Sequence, residues 1–301
     1  MLLKKSLLLL LVTSVFACQQ QPDTVTLEPP TASVTTDYTV NSVRPAALPI
    51  SPIISGYWLS SQYRRLVEQT RSPAEAFDYI PSGPSSIHIE SFSSRVDSVE
   101  IGVTYGLHEG GSRILLLRPG QNDKTLSLRP QLGDEKETVV ELSYEISAAD
   151  TTLFFIQRNA KTNRIVDKIP YYRALKSSVK TDLQGGVERA INQLLITGQY
   201  QGTDSLGQPV NAYFLSDGKV KGLPFSQYTV QMDFTGPNPG DELIFDTYSK
   251  RQSSFGASFG RDTLRLYTIH HTVGVSPSET DTTDLFSRGR LRYQLVRVRK
   301  P

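Results

Sequence analysis

The chain has 301 residues, and its 32 Lys and Arg against 30 Asp and Glu leave a formal charge of +2. That balance carries no electrostatic footprint for nucleic acid as a partner. A single cysteine excludes an intrachain disulfide framework. The 21 Gly and 18 Pro, spread among short apolar runs, favour strands and turns over long helices.

Lys4 and Lys5 precede an apolar run from Leu7 to Val12, and small or apolar residues continue to Ala17. This is the layout of a secretory signal peptide, with an apolar stretch too short to stay as a membrane span. The segment Val15-Phe16-Ala17-Cys18 resembles the lipobox of bacterial lipoproteins. The resemblance implies removal of residues 1–17, acylation of Cys18 as the contact with the membrane, and, with Gln19 following, an address at the cell outer membrane. Several acyl chains hold far more firmly than one.

Residues 18–52 are rich in Gln, Thr, Ser and Pro and read as an extended, disordered tether. Order is expected from Ile53. Leu59, Tyr63, Leu66 and Val67 fall on one helical face, predicting a short amphipathic helix over 57–67 that ends at Ser72-Pro73. Short strands follow around 86–92, 98–106, 112–118, 124–129, 138–146, 151–158 and 164–173. Val187, Ala190, Ile191, Leu194 and Leu195 stripe a second helix. Strands are then expected around 197–202, 209–215, 219–222, 226–234, 241–248, 254–259, 262–269 and 290–299. Asp217-Gly218 is a hairpin signal. The stretch 272–289, poor in apolar residues, reads as one long loop.

Each half therefore repeats one plan, a short amphipathic helix and seven or eight consecutive strands. Meandering strands in such numbers dispose of their edges best by closing into a barrel. Gly56-Tyr57-Trp58 is similar to the Gly-x-Trp of lipocalins, and Gly198-Gln199-Tyr200 sits likewise in the second half. With the Asp217-Gly218 hairpin, Phe225, Tyr228, Asp262-Thr263-Leu264 and Tyr293-Gln294-Leu295-Val296, the pattern resembles bacterial lipocalin-like lipoproteins. The expected fold is mainly β, with two consecutive antiparallel β-barrel-like domains over 53–176 and 177–301.

Motifs for catalysis are not evident: the chain has no Gly-x-Ser-x-Gly elbow, no phosphate-cradling loop before a helix and no His-Glu-x-x-His. No enzyme and no cofactor are therefore expected. His108 and Glu109, between Gly106 and Gly110-Gly111, read either as a polar anchor at a pocket mouth or as an exposed turn. His270-His271 with His88 would make a zinc site only if the two halves brought them together; no metal is expected. Arg288, Arg290, Arg292, Arg297, Arg299 and Lys300 form a basic run that reads as the wet face of a half-buried strand, or as a contact for anionic headgroups or glycans.

Two functions fit. In the first, a barrel interior or mouth takes a small apolar or amphipathic ligand, with Tyr213, Tyr228 and Met232 beside Phe214 and Phe234 as its lining, and His108 and Glu109 at its rim. In the second, solid barrels form a structural or interaction lipoprotein that contacts an envelope protein or a polysaccharide.

Overall fold

The structure, a computed structural model, describes residues 50–93, 95–119, 125–131, 137–148, 150–234, 240–275 and 282–299. Cys18, the leader and the tether up to residue 49 lie outside the described residues. The described residues belong to one compact unit.

The first barrel is made by β1 (Gly56–Ser60), β2 (Ser86–Ile89), β3 (Ser98–Tyr105), β4 (Glu109–Pro119), β5 (Thr125–Leu128), β6 (Thr138–Ile146), β7 (Thr151–Asn159) and β8 (Ile165–Leu175). Each strand pairs antiparallel with the next, and β8 returns to β1, so the sheet closes. The second is made by β9 (Gly198–Asp204), β10 (Pro209–Phe214), β11 (Val220–Lys221), β12 (Tyr228–Val230), β13 (Glu242–Phe245), β14 (Ser253–Phe259), β15 (Thr263–Val275) and β16 (Thr282–Arg297). Here β16 pairs with β9, and a lone bridge between Lys219 and Gln227 nearly closes the last seam, between β11 and β12. Two consecutive antiparallel eight-stranded meanders are thus present.

Among the described residues four helices accompany them: α1 (Ile50–Ile54), α2 (Ser61–Thr70), α3 (Pro73–Phe77) and α4 (Leu183–Leu195). Two expectations are corrected here. Residues 50–52 belong to α1 rather than to the tether, Pro52 being tolerated in the first turn, where a missing N–H costs nothing. Residues 56–60 are a strand, and the helix begins only at Ser61. Ser60 is the switch: its hydroxyl accepts from the Tyr63 amide as an N-cap. The helical stripe of Leu59, Tyr63 and Val67 arose because both faces of β1 are buried, Trp58 toward the first barrel and Leu59 toward the second.

The first barrel is filled by its own side chains. Every strand contributes to one cluster that includes Trp58, Ile87, Ile101, Leu115, Leu126, Leu142, Phe155 and Tyr171. The second cluster fills the other barrel with Tyr200, Phe214, Tyr228, Phe245, Leu266 and Leu295, and extends outward to Leu59, Tyr63, Val67, Ala76 and Leu107. The helix α4 is the shared layer. It packs on β1, β2, β3 and β8 of the first barrel and on β12 of the second. Gly186 permits this approach, since a Cβ there would run into the Tyr57 ring.

One device occurs in both barrels. Arg173, on the last strand of the first, lies over the Trp58 ring at 4.7 Å and donates to the Ile53 carbonyl of α1. Arg297, on the last strand of the second, lies over Tyr200 at 5.1 Å and donates to the carbonyls of Thr197 and Leu195 at the end of α4. The glycine that opens each first strand has φ +140° (Gly56) or +146° (Gly198), a region open in practice only to glycine. The faint likeness between the two halves is therefore a likeness of closure: a glycine, an aromatic two residues on, and an arginine from the final strand that ties both to the preceding helix.

The long loop expected over 272–289 is also corrected. β15 runs to Val275 and β16 starts at Thr282, so only 276–281 separates them. β14 pairs with β15 only as far as Tyr267, and β9 with β16 only from Tyr293. Beyond those points the two strands pair with each other, from Ile269↔Arg288 to Val275↔Thr282, as a two-stranded ribbon.

Candidate functional site

The short sequence Ile50-Ser51-Pro52-Ile53-Ile54-Ser55 packs against the core of the first barrel and builds a cleft beside it. Ile54 is buried and its carbonyl receives the Trp58 indole N–H at 2.7 Å, which pins α1 to the barrel core. Ser51 accepts from the Phe92 amide at 2.9 Å, and Ser55 donates to the Glu90 carbonyl at 3.1 Å. These two bonds hold α1 against the segment that follows β2. Between that segment, α1 and the end of β8 opens a cleft of about 510 Å³. Ile50, Pro52 and Phe92 give it apolar wall; Ser51, Ser55, Ser91, Ser177 and Ser178 give hydroxyls; Arg173 and Lys176 give charge.

A second cleft of about 400 Å³ adjoins it, lined by Tyr57, His88, Glu90, Val179, Lys180 and Thr181. Both clefts include Ser91 and Ser177, whose hydroxyls meet at 3.1 Å. In the second cleft the Tyr57 and His88 rings stack at 4.0 Å and 6°. Burial holds the His88 imidazole below its ordinary pKa, with the Glu90 charge opposing that shift. The Tyr57 hydroxyl donates to the Thr181 carbonyl, and burial raises its pKa. The volumes fall within the range of small-molecule sites, but both clefts lie outside the filled interior.

The structure separates the residues expected to line a ligand space. Tyr213 is 45% exposed on the outer face of β10, because its neighbours Ala212 and Phe214 take the inward positions. Tyr228 is buried inside, its ring edge-on to Phe214 at 5.2 Å and its hydroxyl donating to the Leu215 carbonyl at 2.6 Å. Met232 and Phe234 are buried too, Phe234 packing edge-on against Phe77 at 5.3 Å. These side chains fill space rather than enclose it. Volume complementarity, which decides between the two, leaves no mark in residue types.

His108 and Glu109 stand at the joint between the barrels. Gly106 and Leu107 both have positive φ, 54° and 66°, and turn β3 into β4. For a bulky residue such a φ is a genuine outlier, and what holds it is burial: Leu107 is fully buried in the second cluster. The turn is supported by Ser85, whose hydroxyl accepts from the Leu107 amide at 3.1 Å and meets Thr104 at 2.9 Å. His108 Nδ1 donates to the Gly106 carbonyl at 2.7 Å. The ring then lies 3.9 Å from Glu109 and 3.8 Å from Asp233, which follows β12 of the other barrel. His108 thus reads as an inter-barrel contact, with Glu109 largely exposed beside it.

Among the described residues no group of three or more His, Cys, Asp and Glu is gathered to hold a metal. His88 is stacked on Tyr57, and His270 is exposed on the ribbon. Arg288, Arg290, Arg292 and Arg299 of the basic C-terminal run are exposed, the wet face of a strand whose Tyr293 and Leu295 are buried, and Arg297 is drawn inward. Arg288 donates to the Ala257 carbonyl at 2.6 Å, Arg292 to Ser205 at 2.8 Å, Arg299 pairs with Asp262, and Arg297 is built into α4's end. Lys300 lies outside the described residues.

The cleft residues Ser51, Ser91, Phe92, Arg173, Lys176 and Ser177 were not found from sequence. The one available signal was the recurrence of Gly-x-aromatic with a final-strand arginine, in Gly56-Tyr57-Trp58 with Arg173 and in Gly198-Gln199-Tyr200 with Arg297. No protein-family model, curated protein or solved structure matches this chain.

Proposed function

We propose that this chain is a non-catalytic lipoprotein, anchored in the cell outer membrane through an acylated Cys18, whose body serves as a structural or interaction module for another envelope component. The observation that carries this reading is the filling of both barrels by their own side chains. An eight-stranded barrel is just wide enough either to hold one small ligand or to be packed solid, and these two are packed. The shared layer of α4 adds rigidity, which suits a body that presents a fixed outer surface. The lipocalin-like resemblance bears on architecture, since fold alone does not assign function.

The test is crosslinking in intact cells followed by capture of the full chain, acylated, from detergent-solubilised membranes. The reading expects one envelope protein or polysaccharide in fixed stoichiometry. Recovery of the chain alone, with a small molecule retained inside a barrel, would reject it. A second reading, binding of a small amphipathic ligand, is favoured by one observation, the mixed apolar and cationic lining of the cleft at α1.

A further inference from the structure

We infer that the cleft beside α1 is a binding site for an anionic amphiphile, a carboxylate or phosphate headgroup on a short apolar tail. Three features point there. Among the described residues, the ionic side chains that line it are both cations, Arg173 and Lys176, while Glu90 and Lys180 line the neighbouring cleft, which shares Ser91 and Ser177 with it. Arg173 is not a loose surface charge. The Trp58 ring and the Ile53 carbonyl fix its guanidinium, and its buried Nε has no acceptor among the described residues. A guanidinium so held donates to a carboxylate or phosphate with little ordering left to lose. The rest of the lining divides into hydroxyls, which suit headgroup oxygens, and Ile50, Pro52 and Phe92, which suit a tail. An amphipathic lining within 300–1,000 Å³ is the ordinary build of a small-molecule site.

The site is independent of the interaction reading, because it lies outside the packed interiors on which that reading rests. Its test uses the full mature chain with Cys18→Ser, which needs no detergent, titrated calorimetrically with octyl phosphate, octanoate, octanol and inorganic phosphate. Octyl phosphate or octanoate is expected to bind at least about tenfold more tightly than octanol and than inorganic phosphate alone. The tighter of the two anions identifies the source, a lipid headgroup or a free fatty acid. Lys176→Glu, at an exposed position, is expected to weaken the anionic probes about tenfold without moving the melting temperature, and Phe92→Ser to weaken them with no gain for inorganic phosphate. Equal affinity for octanol and the anions, no binding of any probe, or unchanged binding in Lys176→Glu would overturn the proposal. Loss of the envelope partner would not touch it.

Discussion

Arg71 and Arg297 donate to the same oxygen, the carbonyl of Leu195 at the end of α4, at 2.7 and 3.0 Å. The second amino group of Arg71 reaches the Leu194 carbonyl, and that of Arg297 the Thr197 carbonyl. One arginine follows α2 in the first half and the other ends β16 in the second. The last carbonyls of a helix lack intrahelical partners and carry partial negative charge, so α4 is closed by two cations drawn from both halves of the chain. Burial lowers the pKa of Arg71, and the neighbouring Arg297 charge lowers it further.

Arg297→Ala removes two charge-assisted bonds and the contact over Tyr200. It is expected to cost about 2–4 kcal/mol in urea unfolding. Arg297→Lys should recover less than half, because one ammonium cannot span the two carbonyls that a planar guanidinium serves. Full recovery by lysine would mean that charge alone matters.

Gly56 has φ +140°, and a Cβ there would sit 2.7 Å from the Leu175 carbonyl oxygen. Gly56→Ala is therefore expected to destabilise by at least about 1–3 kcal/mol, from backbone strain with the clash added. Gly110 has open space around it, and Gly110→Ala should change stability by less than about 0.5 kcal/mol. Thermal melts of the two variants check the contrast, and equal shifts would refute it.

Asp241 connects α3 to the second barrel, accepting from the Ala74 amide at 3.0 Å. Burial raises its pKa, against the lowering effect of the bonds from Ala74 and Ser72. The folded state thus holds the proton more firmly than the unfolded chain. Its contribution is fully present below the unfolded value, about 3.9, and is lost as pH rises through the raised folded value. Asp241→Asn keeps an acceptor for Ala74 and removes this loss. Its stability relative to the parent should rise across mildly acidic pH and stay level above it. A relative stability that falls with rising pH would contradict the assignment.

The strands were legible wherever apolar residues alternate. The strands over 138–146 and 151–159 were located to within a residue, and the stripe of Val187, Ala190 and Ile191 gave α4. Three features were hidden for identifiable reasons. β1 looked helical because both of its faces are buried, which erases the period of two. The ribbon of β15 and β16 looked like a loop because residues 272–289 carry few apolar residues, and backbone pairing leaves no mark in composition. Arg297 looked like surface charge because a cation stacked on a ring and bonded to carbonyls has the same sequence signature as a solvated one. The cleft at α1 depends on packing between segments far apart in the chain, which composition does not record.

The central claim is that two filled barrels behave as one body through the layer they share. Trp58 is the only tryptophan in the chain and lies wholly in the core of the first barrel. Leu266 is fully buried in the second, and Leu266→Ala should cost about 2–5 kcal/mol. Urea unfolding of that variant, followed by Trp58 fluorescence and by far-ultraviolet circular dichroism, tests the claim. The account predicts that both midpoints fall together. A Trp58 midpoint that stays at the parent value while the dichroism signal splits into two phases would show two independent barrels instead.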